Sequence, residues 1–397
     1  MPAPFNLPPT WPAPHDPAAA ERLIERFCEL GRSEVRLTGR PAVKALLAAL
    51  GGNSPYLSDL AVREAGAFRA LIAQGPQPVV DDALAALHSF RPQSRREHVA
   101  AALRRAKRIV ALATAIADLG GIWRLEQVTA ALSDLAEAAL TLAAAHLLRA
   151  AHDANELLLP DPDNPGQGGG FTVLGMGKLG ARELNYSSDV DLVLLYDPAA
   201  PIYTERSEGD VKAGFAARFA RGLVSLMEAR DADGYVFRTD LRLRPDPAAT
   251  PPVVAVGAAI TYYESMGQNW ERAAMIKARP VAGDVATGAA FLEAIRPFVW
   301  RRGLDFAAVA DIHAMKRRID AHKGGALGGA ADPVARVAGH DVKTGQGGIR
   351  EIEFLAQTLQ LVWGGRDPNL RDPTTLGALR LLARAGHVPR NAARELA

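Results

Sequence analysis

Asp189 and Asp191 stand one residue apart within Phe171–Asp197, FTVLGMGKLGARELNYSSDVDLVLLYD. The stretch reads as a short apolar strand, a glycine-rich turn, a brief polar segment and a second apolar strand opened by the two aspartates. Side chains two residues apart on a strand share a face, which directs Val190 into the core. Two carboxylates on one face repel unless a cation lies between them. Mg²⁺ is a hard ion that prefers carboxylate oxygens and often works on phosphates. The stretch therefore predicts a metal-dependent phosphoryl or nucleotidyl transfer site, with Asp189 and Asp191 as metal ligands.

Such a site usually takes a third carboxylate from a neighbouring strand. Asp240, in RTDLRLRP, is the candidate, mid-way along a predicted third strand at Tyr235–Leu243. A lone charge there is costly, so the competing expectation is an ion pair with Arg238 or Arg242. Those arginines and Arg244 alternate with Asp240 along one face, which suits the handling of phosphate.

Gly175, Gly177 and Gly180 spell G-x-G-x-x-G after a strand, and Asp197 closes the next strand where a dinucleotide fold would place its ribose acid. That reading fails on the connection. A parallel crossover needs about a dozen residues, and only ARELNY separates Gly180 from Ser187. A Walker A loop is excluded because Lys178 is not followed by Ser or Thr. In a nucleotidyltransferase, Gly177 would let the backbone approach a phosphate and Lys178 would add a point charge. Ser187 and Ser188 would donate to phosphate oxygens or merely cap a turn. Lys277 and Arg279, in MIKARPVAGD, are candidate phosphate contacts, with a surface salt bridge as the alternative. Gly345, Gly347 and Gly348 precede a predicted helix whose amides could meet an anion. Glu351 and Glu353 are two apart on that helix and share no face, so they make no second metal pair.

These residues need elements to hold them. The chain has 397 residues, 48% hydrophobic and 23% charged, with a formal net charge of +2. That composition is globular, and the charge balance shows no field of the kind nucleic-acid binders carry. A single cysteine, Cys28, permits no internal disulfide, and the nine histidines lack zinc-protease spacing. The proline-rich start carries no signal-peptide pattern, and the most apolar window, Ala138–Leu148, is too short to span a bilayer. Together these predict a cytoplasmic protein.

Four segments follow: an extended arm over 1–19, a helical region over 20–160, a catalytic core over 161–304 and a second helical region over 305–397. In the first helical region Leu125, Val128, Leu132, Leu135, Ala139 and Leu142 form one helical stripe. Arg104, Arg105, Lys107 and Arg108 read as a solvated helix face. Pro160–Gly170 is the clearest break. Strands are expected at Phe171–Gly175 and Asp191–Tyr196, and helices at Gly209–Arg230, from about Tyr262 past Asp305, at Ile349–Trp363 and at Leu376–Ala385. Gly324–Gly339 reads as a loop. Strands confined to one region and flanked by helices predict an α+β fold. The closing NAARELA reads as a helix cut without a cap, as in a piece of a longer protein.

Four ordered segments, GMGKLGARELNYSSDVDL, VFRTDLRLRP, NWERAAMIKARPVAGD and KTGQGGIREIEFLAQTLQL, together resemble the bacterial glutamine synthetase adenylyltransferase/adenylyl-removing enzymes. The resemblance is strong from about Phe171 to Leu361 and looser before it. It implies a DNA polymerase β-like core, of which that family carries two and this chain one. LGMGKLGARELNYSSD and GGIREIEF resemble the N-terminal, adenylyl-removing copy. Gly177-Lys178 replaces the Gly-Ser pair of the wider superfamily, and Thr344 and Gln346 also depart from the more usual residues.

The resemblance implies that orthophosphate attacks tyrosyl-AMP on glutamine synthetase and releases ADP. Asp189, Asp191 and Asp240 would be catalytic and hold Mg²⁺. Gly177, Lys178, Ser187, Ser188, Arg242, Lys277 and Arg279 would contact nucleotide or phosphate. Implied partners are glutamine synthetase, orthophosphate, ADP or ATP and the PII signalling protein, with no nucleic acid and no membrane. The alternatives are the forward reaction, placing AMP or UMP on a protein, a non-enzymatic binding fragment and the dinucleotide oxidoreductase.

Overall fold

The computed structural model describes residues 5–203, 209–303, 341–343, 345 and 347–396. Helix past Asp305, the loop at Gly324–Gly339, and Thr344 and Gln346 lie outside the described residues. The chain divides into two compact units, one of Met1–Gly169, Arg182–Val190 and Pro201–Thr239, the other of Gly170–Ala181, Asp191–Ala200 and Asp240–Ala397.

In chain order the elements used below are α1 (Pro17–Cys28), α2 (Arg32–Thr38), α3 (Pro41–Asn53), α4 (Pro55–Arg63), α5 (Ala65–Gln74), α6 (Pro76–His88), α7 (Arg96–Leu119), α8 (Leu125–Asp153), β1 (Phe171–Gly175), α9 (Gly177–Gly180), β2 (Val190–Tyr196), α10 (Gly209–Glu228), β3 (Thr239–Asp240), β4 (Val253–Ala255), α11 (Val256–Ser265), α12 (Asn269–Met275), β5 (Arg279–Gly283), α13 (Val285–Ala294), α14 (Arg296–Val299), α15 (Ile349–Trp363) and α16 (Thr375–Arg384). The mixture of helices with one small sheet agrees with the α+β expectation.

The first unit is helical. α1 starts where Asp16 accepts from the Ala19 amide and Pro17 fills a position that needs no donor. It buries Leu23 and Phe27, whose ring meets Phe68 of α5 edge-on at 5.1 Å. The residues just before α1 are tied to α3: Asn53 Nδ2 donates to the Ala13 carbonyl and the His15 amide to Asn53 Oδ1. The apolar window expected to be too short for a bilayer lies inside α8, which by length and composition is long enough to cross one. Most of its apolar window is buried instead, and α6, α7 and α10 pack against the helix, as befits a core helix.

The basic block on α7 corrects an expectation. It is not a solvated face. Arg104 is buried and donates to the carbonyls of Gly234 (3.0 Å) and Ala229 (2.7 Å) while pairing with Asp231 at 2.9 Å. Arg108 reaches Glu64 (2.6 Å) and the Asp233 carbonyl (3.1 Å), and Lys107 stands 3.9 Å above the Phe237 ring. Only Arg105 of the four is strongly exposed, at 71%. The turn after α10 presents inward-facing carbonyls, and buried carbonyls require donors. The arginines supply them.

The second unit is built on a sheet in the order β3-β2-β1-β5, with β4 also paired to β2. β1 and β2 are antiparallel, Phe171 opposite Tyr196 and Gly175 opposite Leu192, so the short link over 176–189 suffices. This removes the dinucleotide-fold reading, which needs parallel neighbours. β4 runs parallel to β2, and β5 flanks β1 antiparallel. Leu174, Val193, Leu195, Tyr263, Phe291, Phe298 and Leu361 join one buried cluster, which draws α11, α13, α14 and α15 onto the sheet.

The predicted strand Tyr235–Leu243 is reduced to Thr239–Asp240. The amides of Val236 and Phe237 both donate to the Met227 carbonyl at the end of α10. Beyond Asp240 the chain turns: the Arg242 amide donates to Asp240 Oδ1, and Arg244 donates to the carbonyls of Leu241, Pro247 and Thr250. The alternating pattern fits a strand, but these amides and arginines are consumed by turns.

Candidate functional site

The glycine turn follows β1 and opens the short helix α9. Gly177 has φ +49°, and a Cβ there would stand 2.7 Å from Asp191 Oδ2. Any side chain is therefore strained twice, by the backbone and by the carboxylate. A Cβ at Gly180 would run into the Lys277 and Gly175 carbonyls, so the third glycine of the pattern serves close packing. Arg279 braces the same turn, donating to the carbonyls of Gly180 (3.2 Å) and Leu179 (3.3 Å). Lys178 lies on α9 and is partly exposed. Asp191, second residue of β2, is half-buried beside this turn.

Asp240 is largely covered and is gripped by Arg242: Nε lies 3.0 and 2.9 Å from its two oxygens and Nη2 2.5 Å from Oδ2. These bonds hold its carboxyl below the usual carboxylate range, the Arg242 side chain contributing most. The Arg242 side chain itself is 84% exposed. The ion-pair expectation for Asp240 is thus realised with Arg242. The shared strand face of Asp240, Arg242 and Arg244 is not formed, because the strand ends at Asp240.

In the first unit, Asp189 precedes β2 by one residue instead of sitting on it. Its Oδ1 accepts from Arg238 Nε at 2.5 Å. The same guanidinium donates to the Ser187 carbonyl (2.6 Å) and the Tyr235 hydroxyl (3.0 Å), and the Val190 amide donates to the Arg238 carbonyl (2.9 Å). The hydrogen bond that Arg238 donates to Asp189 raises the Arg238 pKa above its ordinary value. Ser187, at φ +53°, is an exposed turn residue, and Ser188 after it is half-buried. The segment before them is pinned to helices: the Leu184 amide donates to Ser133 Oγ, Arg182 pairs with Asp134 at 2.5 Å, and the Tyr186 hydroxyl donates to Asp118.

Lys277 is buried, not at the surface. It pairs with Glu353 of α15 and donates to Thr375 Oγ1 at 3.2 Å, which corrects the surface-salt-bridge alternative. Glu351 accepts from the Gly347 amide at 2.8 Å, so one amide expected to meet an anion is taken by the helix's own side chain. Among the described residues no group of three or more His, Cys, Asp or Glu side chains is gathered closely enough to hold a metal by itself. Sequence reasoning missed the partnership of Arg238 with Asp189 and of Lys277 with Glu353. The first had a signal, an arginine two residues before an acid already singled out; the second spans 76 residues and had none.

The glutamate-ammonia ligase adenylyltransferase family model matches residues 44–294, and the GlnD PII-uridylyltransferase model matches residues 313–397. Three curated relatives carry the name bifunctional glutamine synthetase adenylyltransferase/adenylyl-removing enzyme. That of Agrobacterium fabrum is 44% identical over 96% of this chain and 38% of its own length. That of Caulobacter vibrioides is 46% identical over 95% and 37%, and that of Rhizobium meliloti 53% over 74% and 29%. The chain spans under two-fifths of the length of these relatives. With the glycine turn seated on Asp191 and a family match over most of its length, the chain belongs to the glutamate-ammonia ligase adenylyltransferase family.

Proposed function

We propose that this chain removes AMP from a tyrosine of adenylylated glutamine synthetase by phosphorolysis, and that its sheet is a DNA polymerase β-like nucleotidyltransferase core. The carrying observation is the fit of Gly177 to Asp191: a left-handed glycine at which a Cβ would stand 2.7 Å from a carboxylate oxygen on a central strand. The adenylyl-removing activity in the relatives' names supports the choice of reaction.

In this reading an orthophosphate oxygen attacks the α-phosphorus of tyrosyl-AMP. The bond from phosphorus to the tyrosine oxygen breaks, ADP forms, and the phenolate takes a proton from solvent. A phenol with pKa about 10 is a tolerable leaving group, so positioning and charge do most of the work. Carboxylate oxygens are the donors Mg²⁺ prefers; the three aspartates are not gathered into a metal cluster among the described residues, and Asp189 and Asp240 each pair with a guanidinium that a bound ion would have to displace. Asp189, Asp191 and Asp240 would hold the divalent ions, which when bound supply positive charge to the entering and leaving oxygens. Arg242 covers Asp240 until then; once released it would meet phosphate, as Lys178 would. Gly177 brings backbone amides to the nucleotide, and Ser187 and Ser188 add hydroxyl donors. Arg279 holds the turn in shape, and Lys277 ties α15 to it through Glu353. PII is the proposed regulator.

Incubating the chain with adenylylated glutamine synthetase, orthophosphate and Mg²⁺ should yield ADP and unmodified tyrosine. Absence of ADP, with AMP or UMP transfer from ATP or UTP instead, would favour the forward reaction. The match of residues 313–397 to the PII-uridylyltransferase model makes that the second reading.

A further inference from the structure

In the first unit α2 and α5 face each other across an open depression of about 420 Å³, lined by Ser33, Arg36 and Leu37 of α2, Arg40 just beyond it, and Arg69, Ile72 and Ala73 of α5. Spacings of three and four put each set on one helical face. The volume lies in the range of small-molecule sites.

The charges are unevenly matched. Glu34 is buried, and its carboxylate accepts from Ser33 Oγ at 2.5 Å and from Arg69 Nη1. The Ser33 hydrogen bond first, then Arg69, holds this carboxyl below its ordinary range, so it is ionised and fixes the Arg69 guanidinium at the rim. Among the described residues Arg36 and Arg40 have no ion pair or hydrogen-bond partner for their side chains. The lining therefore carries two uncompensated positive charges beside one oriented guanidinium, over a floor of Leu37 and Ile72. Planar guanidiniums match phosphate and carboxylate oxygens in pairs, and the floor accepts an apolar body.

We propose that this depression binds a small organic dianion with an apolar body, an aryl or alkyl phosphate or a dicarboxylate, at a site separate from the nucleotidyl transfer residues. The proposal stands whether or not the reaction assigned above is correct.

The test is calorimetric titration of the full chain at low salt with phenyl phosphate, succinate and inorganic phosphate. Phenyl phosphate or succinate should bind saturably, and phenyl phosphate more tightly than inorganic phosphate, which lacks the apolar body. The double variant R36A/R40A should lose at least about tenfold in affinity for both organic anions. Both side chains are exposed, and Arg40, the N-cap residue of α3, makes no side-chain cap hydrogen bond, so the fold should survive; unchanged circular dichroism and melting would verify it. E34Q, which frees Arg69 without removing a positive charge, should weaken binding less. D191N should leave it unchanged, which separates this site from the transfer site. No saturable binding of either organic anion by the native chain, or equal binding by native and R36A/R40A, would overturn the proposal.

Discussion

Asp189 and Asp240, two of the three candidate acids, each pair with an arginine, and the two pairs are built differently. Arg238 is fixed: besides Asp189 it reaches the Ser187 carbonyl and the Tyr235 hydroxyl, and the turn that leads to it is held by Arg104, Arg108 and Lys107. Arg242 is a local closure two residues from Asp240, with 84% of its side chain in solvent and a carboxylate that is only 15% exposed. An arginine built into a scaffold orients its acid; one lying over its acid from solvent protects it and can leave. The comparison assigns Asp189 a fixed direction and Asp240 a removable cover.

The largest expected effect comes from the acids themselves. Asp191→Asn or Asp240→Asn should reduce adenylyl removal by about 10²–10³-fold or more, as loss of a principal charge-stabilising group does, with circular dichroism unchanged. Unimpaired turnover in either variant would remove the basis of the comparison.

Next in size is a stability effect. Lys277→Met strands the Glu353 carboxylate at an inner position and should cost about 3 kcal/mol in denaturant unfolding. The double variant K277M/E353L should recover most of that. Similar losses for the single and double variants would mean the pair itself, not the stranded charge, sets stability.

Gly177→Ala should cost about 1 kcal/mol from backbone strain alone and should lower activity further by pushing Asp191 from its place. A variant with full activity would detach the glycine turn from the acid.

The arginines sharpen the contrast directly. Arg238→Ala should lower kcat, because Asp189 loses its direction. Arg242→Ala should change the rate only about two- to fivefold, the scale of an exposed ion pair, while letting the Asp240 pKa rise toward its ordinary value. The acid limb of the pH-rate profile should then move to higher pH. Equal losses of kcat in both variants would contradict the distinction.

The smallest effect probes the scaffold beneath Arg238. Burial first, then the charge of Arg238, push the Lys107 ammonium down to about 8. Its unfolded value is about 10.4, so between about pH 8 and pH 10 the unfolded chain binds more protons and stability should rise with pH. Lys107→Met should flatten that slope in melting curves.

The glycine turn and both central strands were legible because each is local. The run Phe171–Gly175, the three spaced glycines and the short ARELNY link together exclude a parallel crossover, and the antiparallel pairing follows. Residues 235–243 misled for the opposite reason. Their alternation fits a strand, but the Met227 carbonyl that takes two of their amides lies outside the segment. The α7 arginines misled likewise, since four cations in five residues look solvated until the carbonyls of 229–234 are placed against them. The Lys277–Glu353 pair joins segments that share no motif.

The central claim is that carboxylates at Asp189, Asp191 and Asp240 serve a divalent ion in releasing AMP. The most direct measurement is ADP formation from adenylylated glutamine synthetase and orthophosphate, followed across a Mg²⁺ titration for the native chain and for D191N. The account predicts saturable dependence on Mg²⁺ in the native chain and almost no product from D191N at any concentration. Product formed at the same rate without divalent ions, or by D191N as by the native chain, would contradict it.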